Sequence, residues 1–125
     1  GEVDEGRVML FLGPSSGVVG PAWTLEGDQA GAQLGACVTA AGDVNGDGFT
    51  DLAFTAPGWD EASIGTDAGR VFVYSSNGNG TFTLLDSLTG DSSGDQLSIV
   101  CHVGDVNGDG RGDLATGAPL SDGRR

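Results

Sequence analysis

The sequence predicts an all-β fold: a β-propeller segment built from four-stranded antiparallel blades. Three observations carry that prediction. The chain repeats itself with a period of about 62 residues, each period holds four short strand-like runs, and no window sustains a 3.6-residue apolar periodicity over three helical turns. GRVMLFLG (6–13) matches GRVFVYSS (69–76), and GDQAGAQLG (27–35) matches GDSSGDQLS (90–98), both at an offset of 63. GDVNGDGFTDLAFTAP (42–57) matches GDVNGDGRGDLATGAP (104–119) at 62, and Asp122-Gly123-Arg124 reads as the opening of a third copy. Four-stranded sheets repeated in tandem are the blades of a propeller.

The elements follow in order along the 125 residues. Runs 6–12 and 21–26 are the third and fourth strands of a first blade. Runs 33–42, 51–56, 69–75 and 81–88 make one whole blade, each bounded by Gly, Asn, Asp, Ser or Pro. Within it RVFVYS and TFTLLDSL carry the β-branched and aromatic residues that strands favour, and SNGNG between them signals a hairpin. Runs 96–104 and 113–118 are the first and second strands of a further blade. Half, whole and half add up to two blades' worth, whereas propellers usually have about four to eight. Further blades therefore come either from a longer parent chain or from homo-oligomerisation, head to tail, with three copies closing six blades.

Composition fits this reading. Glycine supplies 24 of the 125 residues, far above the usual ~7%, and it punctuates the apolar runs as turns would. The net charge of −13, from 18 acidic against 5 basic residues, excludes the basic footprint that nucleic acids and anionic membranes require. No apolar run approaches the ~20 residues that cross a bilayer, so no membrane insertion is expected. The chain opens on Gly without a signal peptide, as a mature or excised segment would.

The chemistry lies in two acidic loops, 43–51 and 105–113, each between the first and second strands of a blade. Alternate carboxylates repel one another unless a cation sits among them. In the first loop the candidate ligands are Asp43, Asn45, Asp47, Phe49 through its carbonyl, and Asp51, at positions 1, 3, 5, 7 and 9. In the second they are Asp105, Asn107, Asp109, the carbonyl of Arg111, and Asp113. Hard oxygen donors at this spacing suit Ca2+, one ion per loop, and the absence of sulfur and imidazole disfavours zinc and copper. An EF-hand is excluded, because its twelfth position needs a carboxylate and here holds Phe54 or Thr116. Cys37 and Cys101 permit one internal disulfide; as an alternative they are buried free thiols.

The paired loops, each followed by Asp-Leu-Ala and then Thr-Ala-Pro (55–57) or Gly-Ala-Pro (117–119), resemble the FG-GAP repeat of integrin α-subunit propeller heads. The phenylalanine-glycine element itself stands here as Leu34-Gly35 and Leu97-Ser98. The resemblance implies a calcium-binding extracellular or cell-surface propeller in which calcium is structural and the ligand face lies opposite the calcium loops.

Antiparallel connectivity places the calcium loops and the third-to-fourth hairpin at one end, and loops 26–32, 57–68, 89–95 and 119–122 at the other. Binding residues concentrate on such loops. Trp59, Asp60, Glu61 and Ile64, in the longest of them, are the candidates for contact with a protein or glycan ligand. No catalytic constellation accompanies them, and the one histidine, His102, stands in a strand, so no enzyme is expected. Arg111-Gly112-Asp113 spells an adhesion tripeptide, but its aspartate is assigned to calcium. Asn79-Gly80-Thr81 is an N-glycosylation pattern on the hairpin. The function expected is a calcium-binding scaffold for adhesion or ligand binding. The alternatives are a non-catalytic module of a secreted hydrolase or carbohydrate-binding protein, and a self-assembling structural protein.

Overall fold

The computed structural model describes residues 1–13 and 20–121. Their eight strands are β1 (Arg7–Phe11), β2 (Pro21–Glu26), β3 (Val38–Gly42), β4 (Asp51–Ala56), β5 (Arg70–Ser76), β6 (Phe82–Thr89), β7 (Ile99–Gly104) and β8 (Asp113–Gly117). They form three antiparallel sheets, β1-β2, β3-β4-β5-β6 and β7-β8, the half, whole and half blade read from the repeat. The Asp122-Gly123-Arg124 opening of a third copy lies outside the described residues.

Side chains alternate across a strand, and β4 turns that alternation into two cores. Phe54 and Ala56 face the first half-blade, where they pack with Val8, Ala32 and Leu34. Ala53 faces the other way and joins Ala41, Val71, Leu97 and Val100 under the last half-blade. Phe54 is fully buried, with its ring centroid 5.7 Å from Phe72 and 5.2 Å from Tyr74. A central strand covered on both faces reads as a near-continuous apolar run, as LAFTA does. Stacked sheets of this kind are how propeller blades bury one another.

Neighbouring blades are also clasped by a backbone joint that occurs twice. Gly6 bridges Leu34, and 63 residues later Gly69 bridges Leu97. In the first joint Gln33 N–H donates to the Asp4 carbonyl at 3.0 Å and Leu34 N–H to that of Glu5 at 2.9 Å. In the second, Gln96 N–H donates to the Asp67 carbonyl at 3.0 Å and Leu97 N–H to that of Ala68 at 3.4 Å. This joint corrects two strand boundaries. Residues 33–37 and 96–98 are not strand, because Gln33 (φ 58°) and Gln96 (φ 53°) adopt left-handed backbone that ends an extended run.

The disulfide considered from sequence is not formed, and both thiols are free. Cys37 is half-buried and its Sγ donates to the Val100 carbonyl at 3.4 Å. Val100 points into the core, so its neighbour Cys101 points outward and is exposed, rather than buried beside Cys37.

Candidate cation loops

Both acidic loops hang from hairpins with the same register. In β3-β4 a shift after Ala40 sets Gly42 opposite Asp51, and in β7-β8 a shift after His102 sets Gly104 opposite Asp113. The last aspartate of each loop is thus anchored on a strand while the first begins the turn. Glycines at the fourth and sixth loop positions have φ between 75° and 90°, which lets the chain curl about the first aspartate.

Within the curl the side chains meet backbone amides. Asp43 Oδ1 accepts from Gly46 and Asp47 N–H at 2.8 and 3.0 Å, and its Oδ2 accepts from Gly48 at 2.8 Å. Asn45 Oδ1 accepts from Asp47 N–H at 3.2 Å, and Asp47 Oδ1 from Phe49 N–H at 3.0 Å. Asp51 Oδ2 accepts from Val44 N–H at 2.9 Å. The second loop repeats every bond. Asp105 takes Gly108, Asp109 and Gly110 at 2.8, 3.1 and 2.8 Å, Asn107 takes Asp109 at 3.2 Å, Asp109 takes Arg111 at 2.9 Å, and Asp113 takes Val106 at 2.7 Å. The amide of Gly110, followed by those of Gly108 and Asp109, holds the exposed Asp105 carboxyl below its ordinary value, partly offset by desolvation.

The first loop is braced further. Asp51 is 1% exposed, and its Oδ1 accepts from Ser76 N–H at 3.0 Å. Asn45 Nδ2 donates to Ser75 Oγ at 2.8 Å. Phe49 lies against the 77–80 hairpin, where a Cβ added at Gly78 would stand 2.7 Å from its ring. Ser75 and Ser76 lie outside the candidate ligand set. Their signal is positional, since they end the third strand of the same blade and so return the chain to the loop's end.

Among the described residues no three His, Cys, Asp or Glu side chains are gathered into one cluster; the carboxylates are spread around the curl, each on backbone amides. The donor set nonetheless fits a hard divalent cation. A carboxylate has about four acceptor sites, and Asp43 uses three while Asp51 uses two. No ion pair among the described residues reaches a loop carboxylate; Arg70 and Glu61 pair at the other end.

At that other end the candidate ligand-face residues are held by the fold. The Trp59 ring stands edge-on to Phe72 at 5.5 Å, with the Arg70 guanidinium 5.2 Å from its centroid. Glu61 pairs with Arg70 at 3.3 Å. Asp60 N–H donates to Gln29 Oε1 at 2.6 Å, its carbonyl accepts from Gln29 Nε2 at 3.2 Å, and its Oδ1 accepts from Asp67 N–H at 2.9 Å. Ile64 is half-buried in a turn closed by the Gly65 N–H to Glu61 carbonyl bond of 2.7 Å. Asn79 is exposed, and its Oδ1 accepts from the Thr81 hydroxyl at 2.6 Å.

One whole four-stranded antiparallel blade stacked between two half-blades, with an acidic loop between first and second strands, defines a β-propeller repeat protein. Comparison with known proteins agrees: profiles of the FG-GAP repeat and of the FG-GAP-like repeat match residues 38–74 and 57–116. The chain belongs to the FG-GAP repeat, integrin-like family. It is 32% identical to integrin alpha-4 of Xenopus laevis over 95% of its length, and 34% identical to integrin alpha-3 of Cricetulus griseus over 92%. It is 37% identical to integrin alpha-PS5 of Drosophila melanogaster over 77%. The chain spans only 12%, 11% and 10% of those relatives, respectively.

Proposed function

We propose that this chain is a calcium-stabilised part of an extracellular or cell-surface β-propeller that acts as a scaffold for adhesion or protein binding. The observation that carries the reading is the amide network made bond for bond in both loops. A turn that only needed solvation would not require four oxygen-bearing side chains in the same order twice.

Asp43, Asn45, Asp47, the Phe49 carbonyl and Asp51 would hold one ion, and Asp105, Asn107, Asp109, the Arg111 carbonyl and Asp113 the other. Bound calcium would supply the positive charge that each loop lacks. The chain's own part is orientation: the amides fix the first carboxylate, and the strand register fixes the last. The ion would thereby cross-link the ends of the first two strands of a blade. The reading assigns no catalytic role, and His102, the one histidine, has its ring set against Gly42 and Gly112. The partner's place would be the opposite end, with Trp59, Asp60, Glu61 and Ile64 presented on a loop tied to its neighbours.

Thermal unfolding tests the calcium reading. Extracellular calcium modules bind at about 10⁻⁴ M, so millimolar calcium is expected to add roughly 1.4 kcal/mol per site by mass action. The melting temperature should rise with calcium, fall back with chelator, and respond little to magnesium. An unchanged melting temperature in a folded sample would refute the reading.

A further inference from the structure

The second loop is docked on the first. Gly112 N–H donates to the Asp43 carbonyl at 2.8 Å, so the residue between the last two ligand positions of one loop holds the first ligand residue of the other. Gly112 also has no room for a side chain. An added Cβ would stand 2.6 Å from the Ala41 carbonyl oxygen, 3.2 Å from His102 Nε2 and 3.3 Å from Asp43 N. The nearest of these is backbone in a buried strand position, which cannot swing aside as a side-chain tip would.

The loop itself does not demand this glycine. Gly112 does not adopt a positive φ, and the equivalent eighth position of the first loop is Thr50. Thr50 lines an open cavity of about 440 Å³, shared with Leu10, Leu12 and Phe82, where the first loop faces the preceding half-blade. One loop position thus carries threonine where there is space and glycine where another loop must be approached. The docking is reinforced by Arg111, whose side chain runs over the first loop: a Cβ at Gly46 would stand 3.6 Å from Arg111 Nε.

We propose that Gly112 is a positioning residue of the first cation loop, so that the affinity of one blade's loop depends on a residue of the next. The proposal rests on the calcium reading above. A backbone amide on the Asp43 carbonyl fixes the peptide from which the first ligand projects. Displacing it leaves the first loop with its ligands intact and its frame loosened. The second loop should be indifferent, because threonine already serves at this position in the first.

The test is a calcium titration followed by amide NMR on the full chain, wild type beside Gly112→Thr. Gly46 and Gly48 report the first loop, and Gly108 and Gly110 the second. In the wild type both pairs should shift with calcium. In Gly112→Thr the first-loop midpoint should rise about fivefold, the lower end of typical coupling between sites, while the second-loop midpoint stays within about twofold. Equal midpoints in wild type and variant for both loops would overturn the proposal and leave the calcium reading standing. No calcium-dependent shift in the wild type would overturn both. Should the variant fail to fold, the wild type alone decides. The Gly112 amide should exchange with solvent about tenfold more slowly once the first loop is filled, and an unchanged rate would refute the coupling.

Discussion

The two acidic loops share one hydrogen-bond pattern and sit in different surroundings, and the contrast separates what a loop encodes from what its blade supplies. Loop 43–51 belongs to a whole blade: β5 delivers the Ser76 amide to Asp51 and the Ser75 hydroxyl to Asn45, and the Asp51 carboxylate is out of water. Loop 105–113 belongs to a pair of strands, and Asp113 is half-exposed, accepting from the Val106 amide at 2.7 Å. Yet Asp105, Asn107 and Asp109 accept the same backbone amides of their loop that Asp43, Asn45 and Asp47 accept. The curl is therefore a local property of alternate oxygen-bearing residues and glycines, whereas the anchoring of its last aspartate is a tertiary property of the blade.

Substitutions at matched positions sharpen this comparison. The largest expected difference is in the strand after each loop. Phe54→Ala should cost about 4 kcal/mol, as large-to-small changes in a closed core do, whereas Thr116→Ala, which removes from an exposed side chain the 2.8 Å hydroxyl bond to the Ile99 carbonyl, should cost about 1 kcal/mol. Urea unfolding of the two variants checks both, and equal losses would mean that the last half-blade is as tightly packed as the whole one.

Next come the closing aspartates, compared in chelator so that only the chain's own bonds are read. Asp51→Ala strands the Val44 and Ser76 amides beside a buried position and should cost about 3 kcal/mol; Asp113→Ala frees one amide near solvent and should cost about 1 kcal/mol. Comparable values would break the distinction between encoded curl and supplied anchor.

The smallest effect is acid sensitivity. Three backbone amides, Gly110 foremost, lower the folded-state value of the Asp105 carboxyl. A depressed carboxylate contributes stability above its unfolded value of about 4, and that contribution is lost as pH falls through the lower folded value. In the cation-free chain the Asp105 carboxyl followed by NMR should therefore titrate below the ordinary aspartate value, and Asp105→Asn should flatten only the acid limb of stability. Titration at the ordinary value would mean that the curl is not formed without a cation.

Much of this was legible in the sequence, because repetition and period-two patterning are local signals. The half, whole and half blade followed from GRVMLFLG and its partner at 69–76, and the strand ends at the loops followed from the aspartates that close them. What escaped depended on contacts between repeats. The run at 33–37 looked like strand, but Gln33 and Gly35 take positive φ because the chain there clasps the preceding blade. Ser75 and Ser76 are unremarkable until β5 is folded beside the loop. Gly112 reads as one glycine among many until Ala41 is seen behind it.

The most direct test of the central claim, that both loops are cation sites, is to count ions. Equilibrium dialysis against calcium should give two ions bound per chain, one in Asp43→Asn and one in Asp105→Asn. No saturable binding, or a stoichiometry that neither substitution changes, would contradict the assignment.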